Sequence, residues 1–133
     1  MNATQIDLVK ESFALVEPIA DTAATLFYGR LFEIAPSVQL LFAHTDMAQQ
    51  RQSLMSTLAV VVKNLDNPEV VLPAAGSLGA RHKNYGVQAE HYPLVGEALI
   101  WTLEQGLGDV FTHDVRTAWT EAYGLLADVM QAG

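Results

Sequence analysis

The 133-residue chain contains no cysteine. Disulfides, thiolate zinc sites, a cysteine nucleophile and a thioether-linked tetrapyrrole are thereby excluded, and any metal must be held by histidine, methionine or oxygen ligands. Positive charge is scarce: 7 Lys and Arg stand against 15 Asp and Glu, a net charge of −8. Neutralising phosphates or an anionic membrane surface needs a surplus of clustered cations, so neither nucleic acid nor membrane is an expected partner. No segment approaches the roughly 18 consecutive apolar residues of a membrane helix, and the first residues, Met1 to Ser12, lack both the basic start and the apolar core of a leader. An intracellular, cytoplasmic chain is expected. No run alternates apolar and polar residues for long enough to nominate a strand, and there is no internal repeat or low-complexity stretch. Charged residues make up only 17% of the chain while apolar ones make up 50%. So large an apolar share in a short chain implies a sizeable core, or a core with a pocket in it.

What is present is helical spacing. Ile6, Val9, Phe13 and Val16 recur at three- and four-residue intervals, with Thr4 as the expected cap. Pro18 suits the first turn of a second helix that runs to Ile34 and is ended by Pro36. A short turn with Val38, Leu41 and Phe42 follows. Asp46, with Gln49 three residues on, has the spacing of a helix start, and Asp66-Asn67-Pro68 breaks that helix. Pro73, Gly76, Gly79 and Gly86 divide the next stretch into expected shorter pieces. Pro93 opens another helix, closed by Gly106 and Gly108, and Thr112 is placed to cap the last. One all-α domain of six to eight helices over residues 1–133 is expected.

Four histidines stand at 44, 82, 91 and 113, and none is four residues from another, so no helix presents a two-histidine zinc face. His44 and His113 read as solvated, and His91, before Tyr92 and Pro93, as half-buried at a helix entry. His82 has different neighbours. It lies one turn after Leu78 on the same helical face, with Arg81 and Lys83 on either side, two of the chain's seven cations. Two readings are open for it: an axial ligand to a haem whose carboxylates lie near the cations, or an ordinary helix-face histidine. The Gly106-Leu107-Gly108 stretch lacks a third glycine and a preceding strand, so it is no dinucleotide loop, and Ala75 to Gly79 misses the first glycine of a nucleophile elbow. Nothing points to hydrolytic chemistry.

Taken in order, Leu26-Phe27-Tyr28, Pro36, Leu41-Phe42, Gln50 with Leu54, His82, the run His91-Tyr92-Pro93-Leu94-Val95-Gly96, Ala118-Trp119 and Ala122-Tyr123-Gly124 carry a resemblance over essentially the whole chain. The chain resembles bacterial single-domain haemoglobins of the flavohaemoglobin and Vitreoscilla type, most nearly the Hell's Gate globin kind. That resemblance implies a globin fold, with helices packed three over three around haem b. His82 is then the proximal iron ligand. Phe42 wedges against the haem, and Tyr28 donates a hydrogen bond to bound O₂. Gln50 joins Tyr28 in holding the ligand, by its spacing from Leu54 and His82; its neighbour Gln49 lies on a different face. Leu54, Leu58, Leu78, Val87, Val95, Leu99 and Tyr123 line the porphyrin, with Arg81 or Lys83 beside a carboxylate.

The resemblance implies tight, reversible binding of O₂, and of NO and CO, for storage, delivery or scavenging. Its enzymatic alternative is dioxygenation of nitric oxide to nitrate with an external reductase. In flavohaemoglobins the proximal histidine is made more electron-donating by a tyrosine and a glutamate of the last helix. Tyr92 matches the tyrosine; the glutamate would fall past Gly133, which leads to the expectation of a ligand binder rather than an enzyme. A haem-based sensor would need a signalling domain, and a cofactor-free helical module would be colourless. A monomer or weak homodimer is expected.

Overall fold

The computed structural model describes residues 1–132 and is helical throughout, with no strand among the described residues. Helix α1 (Ala3–Val16) leads through a 3-10 turn (Glu17–Ile19) into α2 (Ala20–Ile34). A single-turn α3 (Pro36–Gln39) and a second 3-10 turn (Leu40–Phe42) precede α4 (Met47–Lys63), α5 (Pro68–Asn84), α6 (His91–Leu107) and, after a third 3-10 turn (Gly108–Val110), α7 (His113–Ala132). No helix of the described residues is long and apolar enough to cross a membrane.

The helix starts are set by side chains that satisfy otherwise unpaired N–H groups. Asn2, rather than Thr4, caps α1: its Oδ1 accepts from Gln5 N at 2.8 Å while Gln5 Oε1 accepts from Asn2 N at 3.1 Å. The reciprocal pair satisfies two donors where Thr4, already inside the first turn, would satisfy one. Asp46 caps α4 through Ala48 N and Gln49 N, and Thr112 Oγ1 accepts from Val115 N at the start of α7. The expected short pieces between Asn67 and Gly86 are instead the one continuous helix α5. Pro73 sits within it on the exposed side, where losing one hydrogen bond to a carbonyl costs least.

The main core gathers Val9, Phe13, Val16, Phe27, Leu31, Leu103 and Trp119 from α1, α2, α6 and α7. Each large apolar side chain buried there contributes about 1.5–3 kcal/mol. Trp119 Nε1 donates to Ser12 Oγ at 2.9 Å, and that hydroxyl donates in turn to the Leu8 carbonyl at 2.6 Å, so the two polar groups in this apolar layer are paired. A second, smaller cluster of Ala75, Tyr92, Ala127 and Met130 fastens α5 to α7. Helix α4 packs on α1 and α2, α5 packs on α7, and α4 and α5 are not packed closely on each other.

Candidate cofactor site

The residues singled out from the sequence divide between the α2–α4 side and the α5–α7 side. On the α2–α4 side, Gln50 Nε2 donates to Tyr28 Oη at 3.0 Å. Tyr28 is buried and Gln50 half-buried, whereas Gln49 is exposed, as its different helical face requires. Phe42, in the turn before α4, lies edge-on to the Tyr28 ring with centroids 5.6 Å apart, and Phe32 touches both rings. These edge contacts hold the phenol in place. Burial pushes the Tyr28 phenol above its ordinary range, with the Gln50 hydrogen bond acting against it, so the hydroxyl stays protonated. Because the Gln50 amide donates to the oxygen, the phenol's own proton remains available to a further acceptor.

On the α5 side, His82 is half-buried and its Nδ1 lies 2.8 Å from the Leu78 carbonyl oxygen. A carbonyl accepts only, so Nδ1 carries the proton and Nε2 keeps its lone pair. Burial pushes His82 below its ordinary range and the Arg81 charge adds to that, against the carbonyl bond, so the ring is neutral. A neutral imidazole whose far nitrogen is fixed by a carbonyl is the form that binds a metal. Among the described residues no three His, Asp or Glu side chains gather into a cage for a bare ion. His82 therefore suits a metal that brings its other ligands with it.

The apolar residues sort themselves onto the two sides. Phe42, Leu54, Leu58, Val95 and Leu99 belong to the main core, while Leu78, Val87 and Tyr92 belong to the α5–α7 cluster. Tyr123 belongs to both. Its hydroxyl donates to the Tyr92 carbonyl at 2.6 Å, and its ring lies where a Cβ on Gly96 would come within 2.7 Å. Gly96 is thus the residue that admits Tyr123, a role visible in the sequence only as the end of the His91–Gly96 run. Leu54, Leu58, Leu78, Val87 and Val95 are half-buried rather than enclosed. Arg81 is exposed, and the Tyr92 hydroxyl makes no hydrogen bond to His82 among the described residues.

The sequence model of the globin family matches residues 25–130. The chain belongs to the globin family. Similar proteins include the flavohemoprotein of Rhodopirellula baltica, 36% identical over 126 residues that make up 93% of this chain and 31% of the relative. Those of Chromobacterium violaceum and Bacillus subtilis are 34% and 30% identical over 125 residues, in each case 92% of this chain and 31% of the relative. The globin thus spans about a third of the length of these relatives.

As a globin it has an all-α globin fold and takes haem b as its cofactor. The donor set fits that group. The chain supplies a single neutral imidazole with a free nitrogen, a buried phenol paired with an amide, and half-buried leucines and valines. Two small apolar cavities inside the globin, one bounded by Leu58, Leu99 and Tyr123 and the other by Leu54, Leu58 and Leu99, adjoin the same residues. At about 20 Å³ each they have room for no more than a water-sized molecule, so neither holds a porphyrin.

Proposed function

We propose that this globin binds diatomic gases, O₂ foremost, reversibly and with high affinity at a haem held by His82, in the manner of the single-domain haemoglobins of the Vitreoscilla and Hell's Gate type. Haem b, when bound, supplies the iron at which such a gas is taken up. The observation that carries the reading is the Gln50–Tyr28 hydrogen bond at 3.0 Å, in a chain whose His82 has its Nδ1 held by a carbonyl and its Nε2 free for a metal. Gln50 occupies the Tyr28 oxygen and leaves the phenol proton to a polar ligand in the pocket. Phe42 fixes the ring that carries it. Leu54, Leu58, Leu78, Val87, Val95, Leu99 and Tyr123 exclude water around the site, which strengthens that hydrogen bond. Arg81 stands at the exposed edge, where a haem carboxylate would meet it with the modest worth of a surface pair. Tyr92 contributes its carbonyl to Tyr123 and so braces the proximal side.

The relatives' name couples a flavin with a haem, and this favours one second reading: nitric oxide dioxygenation, with a cytoplasmic reductase as external partner. The His82 hydrogen bond weighs against it. Its partner is a neutral carbonyl, which makes the imidazole a weaker electron donor than a carboxylate partner would. We read the globin as one domain over residues 1–133, a monomer or weak homodimer that stores, transports or scavenges O₂.

Tyr28→Phe tests the distal role. Loss of one hydrogen bond worth about 0.5–3 kcal/mol corresponds to roughly two- to more than a hundredfold faster O₂ release by rapid mixing. An unchanged off-rate removes Tyr28 from the site. Nitric oxide consumption with a reductase at the rate of a plain O₂-storing globin removes the enzymatic reading.

A further inference from the structure

His82 and His91, the two half-buried histidines, carry their protons on opposite ring nitrogens. His82 donates from Nδ1 to the Leu78 carbonyl, whereas His91, the first residue of α6, accepts at Nδ1 from Gln88 N at 3.0 Å. A backbone N–H only donates, so Nδ1 of His91 is bare and the ring is neutral in this arrangement. His91 N in turn donates to the Gln88 carbonyl at 3.0 Å, so one histidine holds both backbone polar groups of Gln88. Among the described residues no other side chain hydrogen-bonds the stretch from Tyr85 to Glu90.

Gln88 adjoins the residue that closes α5. At that helix end Gly86 N donates to the Lys83 carbonyl at 3.1 Å and Val87 N to the His82 carbonyl at 3.0 Å. Gly86 has φ +92°, the left-handed turn with which glycine ends a helix, and a Cβ there would also stand 3.4 Å from Leu41 Cδ2. Val87 is half-buried in the α5–α7 cluster. Two successive backbone N–H groups are thus held by two histidines: Val87 N by the His82 carbonyl, Gln88 N by the His91 ring.

We infer that His91 is a positioning residue whose proton state sets how firmly the end of α5, and with it His82, is held. This rests on the reading that His82 holds the haem iron. In an imidazolium both nitrogens are donors, so a proton on His91 Nδ1 would face the Gln88 N–H, donor against donor, and the bond is lost. The bond needs the neutral ring, so the hold is present at high pH and lost as pH falls through the range, about pH 5 to 8, in which histidines change charge. His91 is in no ion pair among the described residues, with Glu90 before it and Glu97 further along α6. From α7, Tyr123 meets this end of α6 at the Tyr92 carbonyl, and burial pushes both phenols, Tyr123 and Tyr92, above their ordinary range. Helix α5 contributes the cations Arg81 and Lys83 and the His82 ring, which burial pushes below its ordinary range.

The test uses the haem-loaded chain and two variants. His91→Asn places an oxygen near the Nδ1 position, able to accept from Gln88 N and unable to titrate, whereas His91→Ala supplies no acceptor. Transfer of ferric haem to an acceptor globin should quicken in the wild type, between about pH 8 and 5.5, by about two- to tenfold more than in His91→Asn, the worth of one hydrogen bond. His91→Ala should exceed His91→Asn by a similar factor at both ends of the range. Protonation of His82 enters all three proteins alike and cancels in these ratios. In the diamagnetic CO form, protection of the Gln88 amide from hydrogen exchange, corrected for the intrinsic rate at each pH, should fall as the His91 ring signals titrate. One common pH profile for wild type and His91→Asn overturns the assignment. An Nδ1–H tautomer of His91 at high pH overturns it without any variant. A Soret band missing in the wild type removes the haem reading and the control of haem with it, whereas a Gln88 amide indifferent to His91, with the band intact, removes the His91 assignment alone.

Discussion

The main core and the α5–α7 annex hold their residues in different ways. Val9, Phe13, Phe27, Leu103 and Trp119 interlock from four helices, and the buried Ser12–Trp119 bond joins residues 107 positions apart. Helix α5 has one principal neighbour. It lies on α7 through Ala75 and Gly79, and the half-buried Leu78 and His82 follow one turn on along the same side of the helix. The first region has its packing partners within the chain. The second presents apolar surface and a fixed imidazole to something the chain does not itself supply. Local stability should follow, with α5 at the low end until the cofactor joins its face to α4.

The sharpest way to break that contrast is His82→Ala. With no other metal ligand at the site, the variant should fail to retain haem through gel filtration, while far-ultraviolet circular dichroism stays close to that of the wild-type apoprotein. Normal retention of haem would remove His82 from the site and with it the special standing of α5.

Gly79→Val comes next and acts on the annex alone. A Cβ there overlaps the Met130 carbonyl, and backbone cannot swing aside as a flexible side chain would. Forcing atoms into so close a contact costs about 1–3 kcal/mol. If α5 yields independently, the cost appears as haem loss to an acceptor globin about 5- to 150-fold faster, with the apoprotein melting point little changed. A drop in melting point of the apoprotein as large as that of a core variant would show that the annex and the core unfold as one.

Both regions were legible in the sequence to different depths, for physical reasons. The 3.6-residue spacing of Val9, Phe13 and Val16, and of Val115, Ala118, Trp119 and Ala122, marks faces buried by the chain's own helices, and those are the buried faces. The His82–Leu78 bond was implicit in a four-residue spacing, because one helical turn sets a side chain over the preceding carbonyl. Continuity of α5 was hidden, because Gly79 signals a breaker in sequence and a contact in space: only the nearness of Met130, 51 positions away in the chain, explains it. The Thr4 assignment failed because Asn2 and Thr4 are both good caps, and the choice depends on Gln5 returning a bond. The approach of Gly86 to Leu41 leaves no periodic trace at all, since loops meet by tertiary geometry.

The mildest test works from the other side of the contrast. Ser12→Ala removes the acceptor of Trp119 Nε1 in a buried apolar layer, leaving a buried donor unpaired at about 1–3 kcal/mol. The alanine Cβ stands where the serine Cβ was, so only the hydroxyl oxygen is removed and packing around Val9 and Phe13 changes little. At this chain length each kcal/mol should lower the melting point by roughly 2–8 °C, in apoprotein and holoprotein alike. Haem dissociation should stay within twofold of wild type, because Ser12 and Trp119 belong to the main core and α5 packs chiefly on α7 through the second cluster. If Ser12→Ala instead speeds haem loss as Gly79→Val is expected to, strain in the core reaches the iron ligand through α6 and α7, the helices that the two regions share.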